Sequence, residues 1–401
     1  MTQLLSIPLA VAPAKATDAG HGLPLLRLAF RPFYLAAALA AVVLVTAWLC
    51  VLTGHLAPPA GVPPVLWHAH EMLFGFVVAV VIGFLLTAGR VWTGLPTPRG
   101  ALLAALVVLW LAGRIAAVAA PHAAWFALDI AFLPVVAIAF TTLLLRANNR
   151  RNLPIAGVLL LLFAANLAFH AGVAGIADIA PLDALHAALG LLIVLVSILA
   201  GRVIPAFTRG AIPSAKIREP RRLGPAAIAT TAIALCAWIA FRGSAAATLL
   251  LALAATLQLA RGLSWAPWST RRRPILWILH LSYAWLPLGL GLLAAAQAGF
   301  VAESSAIHAL GVGVMGGMII GMMTRTARGH TGRQLIASRW EVAAYALVMV
   351  AATVRVLATL VPGAYLAALL VAGTAWALAF AIYVARFGPW LVAPRPDGQD
   401  G

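Results

Sequence analysis

Acidic side chains are scarce in this chain: 10 Asp and Glu among 401 residues, against 27 Lys and Arg. Charged residues of both signs make up only 9%, where a soluble globular protein carries about 25%. With 64% apolar residues and a mean hydropathy of +1.02, too little polar surface remains to cover a water-soluble fold of this size. Cysteine is nearly absent. Cys50 and Cys236 both lie inside apolar runs, which excludes a disulfide framework and reads them as small buried hydrophobes. The first residues lack a basic n-region, and Pro8 and Pro13 interrupt their apolar run. A signal peptide is therefore not expected, and residues 1–29 read as a cytoplasmic tail. No outward loop exceeds about thirteen residues, so no external domain is expected. No fixed-period repeat is visible, although an inverted repeat would not be.

What the chain has instead is long apolar runs. A bilayer core about 30 Å thick requires about 20 apolar residues per helix. Such runs fall at 34–54, 68–89, 100–119, 122–145, 154–174, 182–208, 224–241, 244–260, 274–297, 304–324, 340–361 and 363–385. Breaks rich in Gly, Pro and Arg separate most of them. The net charge of +17 would suggest a nucleic-acid partner if it clustered on a soluble face, but it does not. With the N-terminus inside, 23 of the 27 basic residues fall in cytoplasmic segments and only Arg242 lies outside, as the positive-inside rule requires. The fold expected is all-α: a polytopic membrane protein, a bundle of twelve transmembrane helices over residues 30–388. Both termini are expected to be cytoplasmic, with tails at 1–29 and 389–401, the bilayer is the surrounding partner, and no nucleic acid is involved.

Against so apolar a background the 10 histidines stand out, because an intramembrane histidine needs a partner and marks a functional-site candidate. His68 and His70 open the second span, His186 lies one turn into the sixth and His308 one turn into the tenth. All three spans start on the outer side, and His170 reaches the same depth from the end of the fifth. His55 and His122 at outer helix ends, and His21 in the tail, read as solvated. In Trp67-His68-Ala69-His70-Glu71-Met72, at about 100° per residue, His68 and His70 point apart. His68, Glu71 and Met72 share one face, and His70 and Phe74 another. The two histidines either cap the helix end, serve two neighbouring sites, or act as one ligand and one hydrogen-bonding residue, with imidazole suited to haem iron or copper and the Met72 thioether to Cu(I). In the tenth span, His308, Met315 and Met322 lie within about 20° per step of one another. The glycines from Gly311 to Gly321 leave room for a neighbouring helix or for a planar macrocycle. His280 either ligates a second metal or bonds a carbonyl across helices, and His330 sits in a loop as a solvated turn.

The few buried charges fall near the same depth. Arg114 and Asp129 flank the short turn at Ala120-Pro121, so an antiparallel hairpin pairs them. Arg355 lies near the level of Glu71, where it either meets an anionic cofactor group or snorkels outward. Arg202 is expected to reach the inner surface on a helix bent or ended near Pro205.

Phe30-Arg31-Pro32-Phe33, Trp67-His68-Ala69-His70-Glu71-Met72 with Gly75-Phe76, and Gly83-Phe84-Leu85-Leu86-Thr87-Ala88 resemble successive signatures of the NnrS family. So do Trp92-Thr93-Gly94, Arg151-Asn152-Leu153-Pro154, Gly201-Arg202-Val203-Ile204-Pro205, Leu276-Trp277-Ile278-Leu279-His280, His308-Ala309-Leu310 and Gly329-His330-Thr331-Gly332-Arg333. The resemblance runs in order over nearly the whole chain. It implies a bacterial inner-membrane protein containing haem, of b type, and copper, associated with nitric oxide metabolism, nitrosative stress and denitrification. Cofactor binding then falls on His68, His70, His280, His308, Arg114 and Arg355. The candidate metal ligands are His68, His70, Met72, His170, His186 and His308, with Glu71 and His330 as further candidates. No catalytic residue is assigned. A secondary transporter of a metal, haem or small nitrogen compound is the alternative, and a quinol-linked nitric oxide reductase a third. The span after the candidate copper helix lacks the adjacent histidine pair expected of such a reductase.

Overall fold

The computed structural model describes residues 22–59 and 61–399. His21, Lys15 and most of the expected N-terminal tail lie outside them. The described chain is all-helical, with no strand and twelve helices long and apolar enough to cross a membrane. We number these α1 (Phe30–Leu52), α2 (Pro64–Thr93), α3 (Ala101–Ala119), α4 (His122–Arg146), α5 (Leu153–Val173) and α6 (Pro181–Ala211). The second half holds α7 (Leu223–Ala240), α8 (Ala245–Ser264), α9 (Pro274–Gln297), α10 (Glu303–His330), α11 (Arg339–Leu357) and α12 (Tyr365–Val392).

Local chemistry sets the ends. Pro64, Pro181 and Pro274 occupy first-turn positions, where the missing N–H has no partner to lose and φ is already helical. Gly94 ends α2 in the left-handed region at φ 70°, as a helix-terminating glycine does. Ser338 and Glu341 form a reciprocal capping box at the start of α11. The chain continues helically through Pro205 to Ala211, so α6 does not end where the sequence suggested.

Consecutive helices pack as neighbours, and α12 returns to pack on α1. Arg31 joins these two ends, donating through Nη1 to the carbonyls of Leu391 at 2.8 Å and Ala393 at 2.9 Å. The helices α2 and α10 lie at the centre: 78% and 72% of their apolar windows are buried, whereas no other span exceeds 56%. Both touch α1 and α6. Both are also built alike, since an α-helical start gives way to π-helix directly after a histidine. The π segments are Glu71–Val77 after His70 and Ala309–Gly316 after His308. Such an insertion shifts the register of everything beyond it and recurs at functional sites.

The glycines of α10 admit neighbouring side chains. A Cβ at Gly316 would strike Trp376, one at Gly321 would strike Leu279, and Gly313 faces Trp285. Neighbouring side chains fill the stripe from Gly313 to Gly321, while Gly311 has open space beside it. The cysteines are not buried as expected: Cys50 is half-buried and Cys236 is exposed.

Candidate functional site

The Glu71 side chain meets His70, not His68, at the start of the π segment of α2. His70 Nδ1 lies 3.1 Å from Glu71 Oε1, and Arg114 Nη1 on α3 donates to the same oxygen at 2.5 Å. Arg114 also pairs through Nη2 with Asp129 Oδ1 on α4, so the pairing read from the short α3–α4 turn is present. Asp129 Oδ2 then accepts from Asn166 Nδ2 on α5 at 2.6 Å and lies 3.2 Å from both His70 Nε2 and His170 Nε2. Asn166 Oδ1 completes the ring, 2.9 Å from His70 Nε2. His70, Glu71 and His170 are fully buried. Donor atoms of His70, Asp129 and His170 all lie within 4.8 Å of one another. Two imidazoles and a carboxylate at that spacing are a donor set for one metal ion.

Small residues let the helices close this far. Trp110 Nε1 on α3 donates to Gly75 O at 3.1 Å, satisfying a carbonyl in the irregular π segment. A Cβ at Gly75 would stand 3.2 Å from Arg114 Cδ and 3.3 Å from Glu71 Oε2. Gly75→Ala is therefore expected to displace the guanidinium and cost about 1–3 kcal/mol, seen as a lower thermal midpoint. An unchanged midpoint would show that Arg114 has room to yield.

The aromatic wall is tight. His70 packs on Phe169 at 4.6 Å and edge-on to Trp125 at 4.9 Å, and His170 stacks on Phe126 at 5.0 Å. His122, expected to be solvated, is half-buried and belongs to the cluster, its Nε2 lying 3.2 Å from His170 Nδ1. Asn166 was missed from sequence. Its signal was an amide one helical turn before His170 in an otherwise apolar span.

His68 faces away from this cluster and stacks on Trp48 at 4.6 Å, with its Nδ1 buried and unpartnered. It belongs with His308 and Arg355, whose guanidinium acts electrostatically on both histidines. His308 Nδ1 donates to Ser304 O at 2.7 Å, which leaves the Nε2 lone pair free. Arg355 Nη2 donates to Ser304 Oγ at 2.7 Å, while Nη1 is buried without a partner. The single histidine layer read from depth is thus divided into separate groups.

His186 forms a third group. Arg242 Nη2 donates to its Nδ1 at 2.8 Å, and Arg242 also pairs with Asp183 and Glu303. His280 meets neither a carbonyl nor another histidine in its bond, lying 2.9 Å from Thr208 Oγ1. Met72 is half-buried against the apolar core. His330 is not in a solvated turn: it is the last residue of α10, half-buried, with its ring 5.4 Å from that of Phe30. Arg202 donates to Asn152 Oδ1 at 2.6 Å.

The family model described as NnrS protein matches residues 24–395. No curated protein matches the chain.

Proposed function

Because the chain belongs to the NnrS family, we propose that it is a haem- and copper-binding protein of the bacterial inner membrane, with both termini cytoplasmic, that binds or disposes of nitric oxide. The observation that carries this reading is the convergence of His70, Asp129 and His170 in a sealed pocket. Glu71 and Asp129 bring two negative charges and Arg114 one positive charge. One further positive charge neutralises the cluster, and a metal ion or a proton on His70 supplies it. Intramembrane charges require such compensation. His70, Asp129 and His170 would hold the metal, while Asn166, Glu71 and Arg114 fix their orientation as outer-shell partners.

The second group fits a haem. His308 is held through Nδ1 with Nε2 free, His68 offers an unpartnered Nδ1, and Arg355 offers an unpartnered Nη1. These imidazoles would hold the haem iron, and Arg355 would suit an anionic substituent such as a propionate. When bound, these metals would supply the affinity for a diatomic ligand. A neutral gas that partitions into the bilayer reaches such a site without a polar channel. Asn, Arg and carboxylate neighbours keep the donor atoms positioned, and the aromatic wall excludes water.

The test is anaerobic purification followed by metal analysis and optical spectra with and without nitric oxide. Bound haem and copper, with a spectral shift on adding the gas, are expected. Correctly folded protein containing neither metal would sink the reading.

A further inference from the structure

Among the described residues one buried arginine has neither an ion pair nor a hydrogen bond. Four arginines are buried among the described residues: Arg31, Arg114, Arg261 and Arg325. Arg31 donates to the carbonyls that end α12, Arg114 holds Glu71 and Asp129, and Arg261 pairs with Glu219 and donates to Ser197 O. Arg325 on α10 is only 7% exposed. Among the described residues it has no hydrogen bond and no ion pair. Its guanidinium lies over the Phe207 ring of α6, 3.8 Å from the centroid. The Tyr345 hydroxyl, bonded to Thr324 Oγ1 at 2.6 Å, is within electrostatic range.

No described acid is available to it. Asp183 and Glu303 hold Arg242, Glu341 holds Arg328, Asp397 holds Arg395, and Asp178 is exposed. A guanidinium out of water without a counter-charge is strongly unfavourable. A ring face and the nearby C-terminal end of α10 offset part of that, not all. The Arg325 nitrogens are not among the fully sealed unpartnered atoms, so an edge of the guanidinium still meets accessible space.

We propose that Arg325 is the anchor of a binding site for a small planar oxyanion of the size of nitrite or nitrate. Phe207 covers one face of the guanidinium, leaving the edge, where two parallel N–H groups match two oxygens of such an anion. Arg328 and Arg333, which stack on Trp390 nearby in sequence, give this end of α10 the positive field that concentrates anions. The site does not rest on the metal reading: 17 residues separate Arg325 from His308, or about 25 Å along a helix.

The test is calorimetric titration of the purified full chain with sodium nitrite and sodium nitrate in chloride-free buffer, with gluconate as the bulky control. Saturable binding of nitrite or nitrate, and none of gluconate, is expected. Arg325→Gln should weaken it by about 10- to 100-fold, the worth of hydrogen bonds to a charged group. Arg325→Lys, which keeps the charge but lacks the fork, should fall between. Metal content of both variants should match the unsubstituted chain, so failure here and failure of the metal reading are distinguishable. Absence of saturable binding to the unsubstituted chain would overturn the proposal. So would undiminished binding to monodisperse Arg325→Gln protein. Binding of delipidated protein to anionic, but not zwitterionic, lipid bicelles without competition by nitrite or nitrate would assign Arg325 to a lipid phosphate and equally overturn it.

Discussion

Replacing Asp129 by Ala should abolish metal binding at the proposed centre and lower stability by about 3–5 kcal/mol, the scale for breaking a buried ion pair. One carboxylate serves four partners: Arg114 through Oδ1, and Asn166, His70 and His170 through Oδ2. Its removal leaves Arg114 to Glu71 alone and strands the Asn166 amide without its acceptor in a dry interior. Asp129→Asn separates the two effects. It keeps the volume and one oxygen but removes the charge, so metal should be lost with a smaller fall in thermal midpoint. Elemental analysis and tryptophan-monitored melting in detergent are the measurements. Full metal occupancy in folded Asp129→Ala protein would remove this cluster as the metal site.

His308→Ala should abolish the haem absorption band while leaving metal at the His70 cluster, and His70→Ala should do the reverse. Each of the two histidines directly precedes a π segment, yet their surroundings differ. His308 is held by the Ser304 carbonyl with Nε2 free, whereas both nitrogens of His70 face oxygens of the carboxylate cluster. The first arrangement offers a lone pair to an external iron, and the second offers a place between fixed donors. Optical spectra and copper content measured on the same preparations check this. Loss of both cofactors from either variant would show one coupled site instead of two.

Much of this architecture was legible before any coordinates. Span length fixed twelve helices, since about 20 apolar residues have few other uses. The Arg114–Asp129 pair followed from a two-residue turn that holds α3 and α4 antiparallel. The divergence of His68 from His70 followed from helical periodicity. Glu71 was grouped with His68 by helical periodicity, whereas its carboxylate reaches round to His70 and Arg114, a side-chain direction that backbone periodicity does not fix. His122 and His330 were read as solvated for the same kind of reason: a helix end seen in sequence carries no information about which ring lies across from it.

The sequence by itself determined that this is a twelve-span membrane protein and that its rare polar residues matter, because hydrophobic length and scarcity of charge act residue by residue. It could not determine which of those residues meet. His70 and Asn166 are 96 positions apart, and Asn166 and Asp129 are 37 apart. Their contact depends on α2, α3, α4 and α5 closing on one point, with glycines admitting Arg114 between them. Only the tertiary structure divided one apparent layer of histidines into separate groups and left Arg325 without an acid. Long-range packing, not the count of acids, decides where a charge finds its partner: 10 acidic residues outnumber the four buried arginines of the described chain, yet none of the described ones reaches Arg325.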